Sequence, residues 1–190
     1  MTETKKEWNP QLTFWKAFQG KGTGCVMNFD AERQAYFVRL MPEKGERQFS
    51  REDALNVALS LVDVGEVLTV LNGSVEGLGK KNEKGQYGGL YHEGANGRSS
   101  IGFARTEKGY RLSIYRQPTE GAARNLAIGL TIAEGEQFRL FLMNPTHPIF
   151  RDNFSQRMEN KSASPKKRGR PTKNSPTTDE TMTAGADIPF

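Results

Sequence analysis

From Leu55 to Leu61 the chain alternates strictly, with Leu55, Val57, Leu59 and Leu61 separated by Asn56, Ala58 and Ser60. Residues 50–73 otherwise invite reading as one long helix capped by Ser50, but a period of two puts the apolar set on one side of a strand and cannot form a helical stripe. Asp63 and Glu66 then stand at capping-box spacing, and Gly73 suits the left-handed position beyond a helix end, which predicts a short helix over Val64–Asn72. A strand running straight into a helix is the tightest constraint the chain places on its fold.

The neighbouring segments extend that pattern. Strands are predicted over Thr13–Gln19, Gly24–Asp30 and Gln34–Met41, the last two joined through Ala31-Glu32-Arg33 as a hairpin. Further on, Ser99–Arg105 and Tyr110–Gln117 flank the turn Thr106-Glu107-Lys108-Gly109, and Leu126, Ile128 and Leu130 mark another strand. Thr131 and Glu134 form a second capping box, opening a helix with an apolar stripe of Phe138, Phe141 and Leu142 that Pro145 ends. Each half reads as strands followed by one helix, so the fold class is α+β, mostly β, in a ββββα-ββββα order that repeats topology rather than residues.

The 190 residues suit one domain and a tail. The domain is expected over residues 12–152, after a flexible stretch at 1–11. From 153 to 190 Ser, Pro, Lys, Thr and Asn dominate, a composition that cannot offset its ordering entropy. The net charge of +5 divides unevenly: residues 151–190 hold eight basic and five acidic side chains, leaving 19 basic against 17 acidic in the first 150. Six of the tail's positive charges lie between Lys161 and Lys173, and every later charge is negative. The tail is thus a basic arm followed by an acidic end.

A single cysteine, Cys25, excludes an internal disulfide, and with only His92 and His147 there is no zinc-binding spacing. No apolar run is long enough for a membrane span, and MTETKKEWNP lacks a secretory h-region, so a cytoplasmic location is expected, with no membrane partner. Gly77-Leu-Gly79-Lys80-Lys81 has the look of a phosphate loop, but Ser74 stands where its first Gly belongs and Lys81 where it needs Ser or Thr. The histidines have no catalytic constellation around them, so neither an enzyme nor a cofactor, nor a bound metal, is expected.

Three segments then carry a resemblance. Phe49–Gly73 looks like the strand-then-helix segment of the Whirly family of single-stranded DNA-binding proteins. Gly88-Gly-Leu-Tyr-His-Glu-Gly94 stands where that family has an aromatic-aromatic-His-acidic turn. Gln19-Gly-Lys-Gly-Thr-Gly24 occupies the place of its Lys-Gly-Lys-Ala-Ala-Leu motif; Lys21 matches the second lysine, Gln19 replaces the first, and Gly-Thr-Gly replaces Ala-Ala-Leu. Over residues 14–150 the resemblance implies two roughly perpendicular four-stranded antiparallel sheets with two helices, a homo-oligomer in tetrameric form, and single strands lying along the sheets.

Sequence-tolerant binding of single strands needs aromatic faces for stacking and cations for phosphates. The segments that mix the two make Trp15, Lys16, Phe18, Lys21, Phe37, Arg39, Tyr91, Arg105, Arg111 and Tyr115 the candidate contacts. Phe37 and Arg39 share a face opposite Tyr36, Val38 and Leu40; Arg111, Ser113 and Tyr115 share one opposite Leu112 and Ile114. In the tail, residues 166–173 resemble an AT-hook through Lys167, Arg168, Gly169, Arg170 and Pro171, a chemistry suited to a narrow minor groove. Asp187-Ile188-Pro189-Phe190 resembles the tip of bacterial OB-fold single-stranded DNA-binding proteins, which implies replication, recombination and repair proteins as partners; with the core resemblance it implies a protein of a bacterium, a phage or a mobile element, hence a bacterial cytoplasm. The expected function is coating and protecting single-stranded DNA while recruiting such enzymes. The alternatives are a duplex-binding transcription or nucleoid factor using the hook-like segment, or an RNA-binding protein on the same fold.

Overall fold

The computed structural model describes residues 10–150 apart from 84 and 95. Strands β1 (Gln11–Lys16), β2 (Thr23–Asp30), β3 (Ala35–Pro42) and β4 (Leu55–Leu59) lead into helix α1 (Leu61–Leu71). Strands β5 (Leu90–Gly94), β6 (Gly97–Thr106), β7 (Gly109–Pro118) and β8 (Arg124–Thr131) lead into helix α2 (Ile132–Met143). The strands form two four-stranded antiparallel sheets, ordered β1-β2-β3-β4 and β5-β6-β7-β8, so the ββββα repeat of topology is present.

Both helices start at a capping box, one of them earlier than expected. Thr131 and Glu134 cap α2 as their spacing predicts. In α1 the cap is Ser60: its hydroxyl accepts the Asp63 N–H at 3.3 Å, while the Asp63 carboxylate accepts the Ser60 N–H at 2.8 Å. Asp63 is therefore the third helical residue rather than the cap. Strand β4 ends at Leu59 in consequence, and Leu61 leaves the sheet for the exposed first turn. Gly73 follows the C-cap Asn72 with φ +78°, a conformation for which glycine is suited.

Two further expectations are corrected. Strand β1 stops at Lys16, because the chain reverses through Gln19 and Gly20, both at positive φ. The first strand of the second half lies at Leu90–Gly94, inside the segment read as a turn, and pairs with β6 from Leu90↔Ile101 to Gly94↔Gly97. Its five residues hold too few apolar side chains for alternation to mark them.

Alternate residues of each strand enter one continuous core. Tyr36, Val38 and Leu40 of β3, Leu55, Val57 and Leu59 of β4, Ile101 and Phe103 of β6, and Leu112 and Ile114 of β7 are buried with Val64, Val67 and Val70 of α1 and Phe138, Phe141 and Leu142 of α2. Phe103 stacks on Tyr110 and meets Phe138 edge-on, each at 5.4 Å between ring centroids. Gly135 leaves room for the Tyr110 ring, which a β-carbon there would overlap. Tyr36 donates its hydroxyl to the Leu142 carbonyl at 2.6 Å, and burial pushes its pKa up to about 12. Cys25 is fully buried, and burial likewise raises its thiol to about 12. No helix among the described residues is long and apolar enough to cross a membrane.

One ion pair ties the first strand to the last helix. The Lys16 ammonium lies 2.5 and 2.7 Å from the Glu134 carboxylate oxygens. Burial acts to raise the Glu134 pKa, but the hydrogen bonds from Lys16 and Thr131 outweigh it and leave the carboxyl below its usual range. A lowered folded-state pKa means stabilisation that is present above the ordinary Glu value of about 4.3 and is lost as pH falls through the folded value. Glu134→Gln keeps a capping side chain but removes the charge. Thermal melts are expected to show the variant less stable at pH 7 and the gap closing below about pH 4; a gap independent of pH would remove the role given to this pair.

Candidate nucleic-acid interface

With one face of each sheet committed to the core, the opposite faces hold six of the ten candidate contacts. On the first sheet the register places Trp15 beside Gly24 and Met41, Thr13 beside Val26, Arg39 and Asn56, and Gln11 beside Asn28, Phe37 and Ala58. Trp15 lies across Gly24, where a β-carbon would come within 2.5 Å of its ring, and packs against Phe49 at 4.9 Å between centroids. It is still 45% exposed. Arg39 donates to the Asn56 side-chain oxygen at 2.7 Å, and Phe37 is half-buried beside it.

The outer face of the second sheet is more open. One row across it runs Tyr91, Ser100, Tyr115, Asn125; the next runs Gly102, Ser113, Ala127; the next Ala104, Arg111, Gly129. The two tyrosines, 72% and 37% exposed, flank the buried Ser100, two strand spacings or roughly 10 Å apart. Beside them the face continues through small residues, Gly102, Ser113, Ala127, Ala104 and Gly129. Arg111 has no ion-pair partner among the described residues, whereas Arg98 at the rim is paired with Glu93 at 3.1 Å.

The structure thus groups Tyr91, Arg111 and Tyr115 on one face and Trp15, Phe37 and Arg39 on another. Phe18 and Lys21 project from the β1–β2 loop, Phe18 being 67% exposed. Two residues fall outside these groups. Lys16 points to the opposite side of β1 from Trp15 and is held by Glu134, because Phe14, two residues earlier, is a core residue and sets that parity. Arg105 shares the inward parity of Ile101 and Phe103; its guanidinium lies near Gly73 at the C-terminal end of α1, where a cation complements the helix dipole.

Two further aromatic residues, Phe49 and Tyr87, stand near the sheets without being among the candidate contacts. Phe49 reaches Trp15 from the loop after β3. Tyr87 covers Gly77, whose bridge to Ala104 brings the 77–89 loop along the edge of β6. The Tyr87 hydroxyl donates to Glu76 at 2.7 Å, and the Lys81 ammonium stands 5.3 Å from the ring centroid. No periodicity marks either residue, because loop closure alone brings them to the sheets. The Gly77–Lys81 segment is therefore edge cover: Leu78 donates to the Phe103 carbonyl at 2.9 Å.

His92 lies in β5 with its Nε2 enclosed, 3.8 Å from the Asp63 carboxylate, beside a cleft of about 320 Å³ lined by Asn56, Arg98 and Arg116. His147 accepts the Ile149 N–H at 3.3 Å. Among the described residues no group of His, Cys, Asp and Glu could hold a metal ion. The hook-like segment (Lys167, Arg168, Gly169, Arg170, Pro171) and the tip (Asp187, Ile188, Pro189, Phe190) lie outside the described residues.

Two meander sheets of this order, each closed by a helix, define a β-rich α+β fold, and comparison with solved structures identifies it as the Whirly fold. WHY1 from Arabidopsis thaliana superposes with a TM-score of 0.54 at 13% identity, over 86% of this chain and 98% of its own. The plant transcriptional regulator PBF-2 superposes with a TM-score of 0.57 at 13% identity, over 86% of this chain and 92% of its own. No protein-family model matches the chain, and no curated protein matches it significantly in sequence.

Proposed function

We propose that the protein binds single-stranded DNA on the outer faces of its sheets, coating and protecting the strand during replication, recombination or repair. The observation that carries this reading is the second sheet's outer face, where Tyr91 and Tyr115 flank Ser100 over a floor of small residues with the unpaired Arg111 alongside. Aromatic faces stack on any base and a free cation meets phosphate, so the surface suits a strand without a fixed sequence. The Whirly fold and the family resemblance of the sequence support the same ligand class. Chemistry here is binding rather than catalysis.

Anisotropy with labelled oligonucleotides tests the reading. Single strands are expected to bind much more tightly than duplex at moderate salt. Tyr91→Ala and Tyr115→Ala are each expected to weaken binding by about 1–3 kcal/mol. Arg111→Ala should lower the slope of log affinity against log salt by about 0.7. Equal affinity for duplex, or loss of binding on deleting residues 161–173, would favour the hook-like segment and a duplex-binding transcription or nucleoid factor instead. Preference for RNA in direct competition would assign the fold to that ligand.

Self-association and recruitment complete the proposal. Leu61 and Val62 on α1 and Ile132, Leu140 and Met143 on α2 are exposed apolar side chains, which supports a homo-oligomer, tetrameric by the family resemblance. Mass photometry is expected to give an oligomer peak; a monomer alone would reject this part. The Asp187–Phe190 tip recruits processing enzymes through its aromatic ring and acidic charge. Deleting Phe190 should leave strand binding intact and abolish pull-down of repair proteins, and an unchanged pull-down would discard the recruitment role.

A further inference from the structure

Glu43, the residue after β3, is 5% exposed, yet it carries a carboxylate that no basic side chain among the described residues pairs with. Backbone amides satisfy it instead. One oxygen, Oε2, accepts the N–H groups of Phe18 and Gly22, both at 2.8 Å, and the other accepts that of Arg47 at 3.0 Å. The Glu43 N–H in turn donates to the Gly22 carbonyl at 2.9 Å. The Phe18 amide, opposed by burial and supported by those of Arg47, Gly22 and Gly20, holds the carboxyl below its usual range. One carboxylate therefore fixes both ends of the turn between β1 and β2.

The glycines around it fit this arrangement. A β-carbon on Gly22 would overlap the Lys16 carbonyl and stand 2.7 Å from the Glu43 Oε2. Gln19 and Gly20 take positive φ of +46° and +76°, and Lys21 donates its N–H to the Phe18 carbonyl at 2.8 Å, closing the turn. On the outside of that turn stand the exposed Phe18 ring and the exposed Lys21 side chain, which has no ion-pair partner among the described residues. Gly22, the first residue of the Gly-Thr-Gly that replaces the family's Ala-Ala-Leu, thus ends a turn shaped around a buried carboxylate, while Thr23 and Gly24 begin β2.

We propose that Glu43 is a positioning residue for strand binding: by gathering the Phe18 and Gly22 amides it sets the β1–β2 turn so that the Phe18 ring and the Lys21 ammonium project together as a base-and-phosphate contact at the end of the first sheet. Glu43 itself touches no nucleic acid. The proposal rests on the single-strand reading above and adds to it a contact loop and the residue that shapes it. Glutamine at this position keeps the length but exchanges a carboxylate oxygen for an NH₂ donor that faces amide donors, which the turn cannot accommodate unchanged.

A double-mutant cycle on the full chain tests the proposal, with a fluorescein-labelled thymidine oligonucleotide as probe. Glu43→Gln is expected to weaken binding about tenfold, close to the loss from the Phe18→Ala/Lys21→Ala pair, and to add less than about twofold when combined with that pair. Unchanged affinity in Glu43→Gln, or a loss that adds in full to that of the pair, overturns the positioning role. A second readout avoids dependence on the variant's folding. In the wild-type protein the Phe18, Gly22 and Arg47 amide resonances are expected to titrate together with an apparent pKa below the ordinary Glu range, and independent behaviour overturns the proposal. If the wild-type protein does not bind the oligonucleotide at all, the single-strand reading falls and this role with it, a result distinct from any pattern among the variants.

Discussion

Packing both sheets against the same pair of helices is the constraint on which the rest of the structure depends. Each strand gives alternate side chains to that core, and the large ones, Phe103, Phe138 and Phe141 among them, are completely enclosed. Full burial of a side chain of this size contributes about 1.5–3 kcal/mol. Because the pleat sends neighbouring residues to opposite sides, fixing the inner set also fixes the outer one. Tyr91, Tyr115 and Arg111 face outward because Ile101, Leu112 and Ile114 face inward.

The two outer faces differ in how much of their chemistry is already engaged. On the first, Trp15 is laid over Gly24 and against Phe49, and Arg39 is joined to Asn56. On the second, Tyr91 and Tyr115 stand exposed on either side of the buried Ser100, and no hydrogen bond joins them to each other. The edge of β6 beyond its pairing with β5 is closed by Glu76 and Leu78: the Arg105 backbone N–H donates to the Glu76 carbonyl at 2.7 Å. Covering that edge removes a site where another strand could pair and leaves the face, not the edge, for a ligand.

Electrostatics separate structural cations from available ones. Lys16 serves Glu134, Lys44 serves Asp53 at 2.6 Å, and Arg139 serves Glu136 at 2.6 Å. Glu134 has two tasks, capping α2 and holding Lys16, so the junction of the first strand with the last helix is both hydrogen-bonded and charge-paired. Lys21 and Arg111 are among the described cations outside such pairs; Lys21 shares its turn with the exposed Phe18, and Arg111 lies on the same face as Tyr115, four residues along β7. Glu43 shows the converse case, a buried anion that needs no cation because converging amides satisfy it.

By itself the sequence determined what depends on neighbours along the chain. Alternation at Leu55–Leu59, the Thr131/Glu134 box, the glycine after α1 and the shared face of Arg111, Ser113 and Tyr115 are all local periodicities or local hydrogen bonds. Where two local patterns competed, as at Ser60 and Asp63, spacing alone did not distinguish the cap from its partner. Tertiary structure decided what depends on distant residues meeting. Lys16 is engaged by a carboxylate 118 positions away, Phe49 joins the outer face of the first sheet, and Tyr87 joins the cover along the edge of β6. Glu43 became the centre of a turn 21 to 25 positions upstream of it. None of these encounters leaves a repeat in the sequence, because each is set by loop closure and sheet register rather than by a period along the backbone.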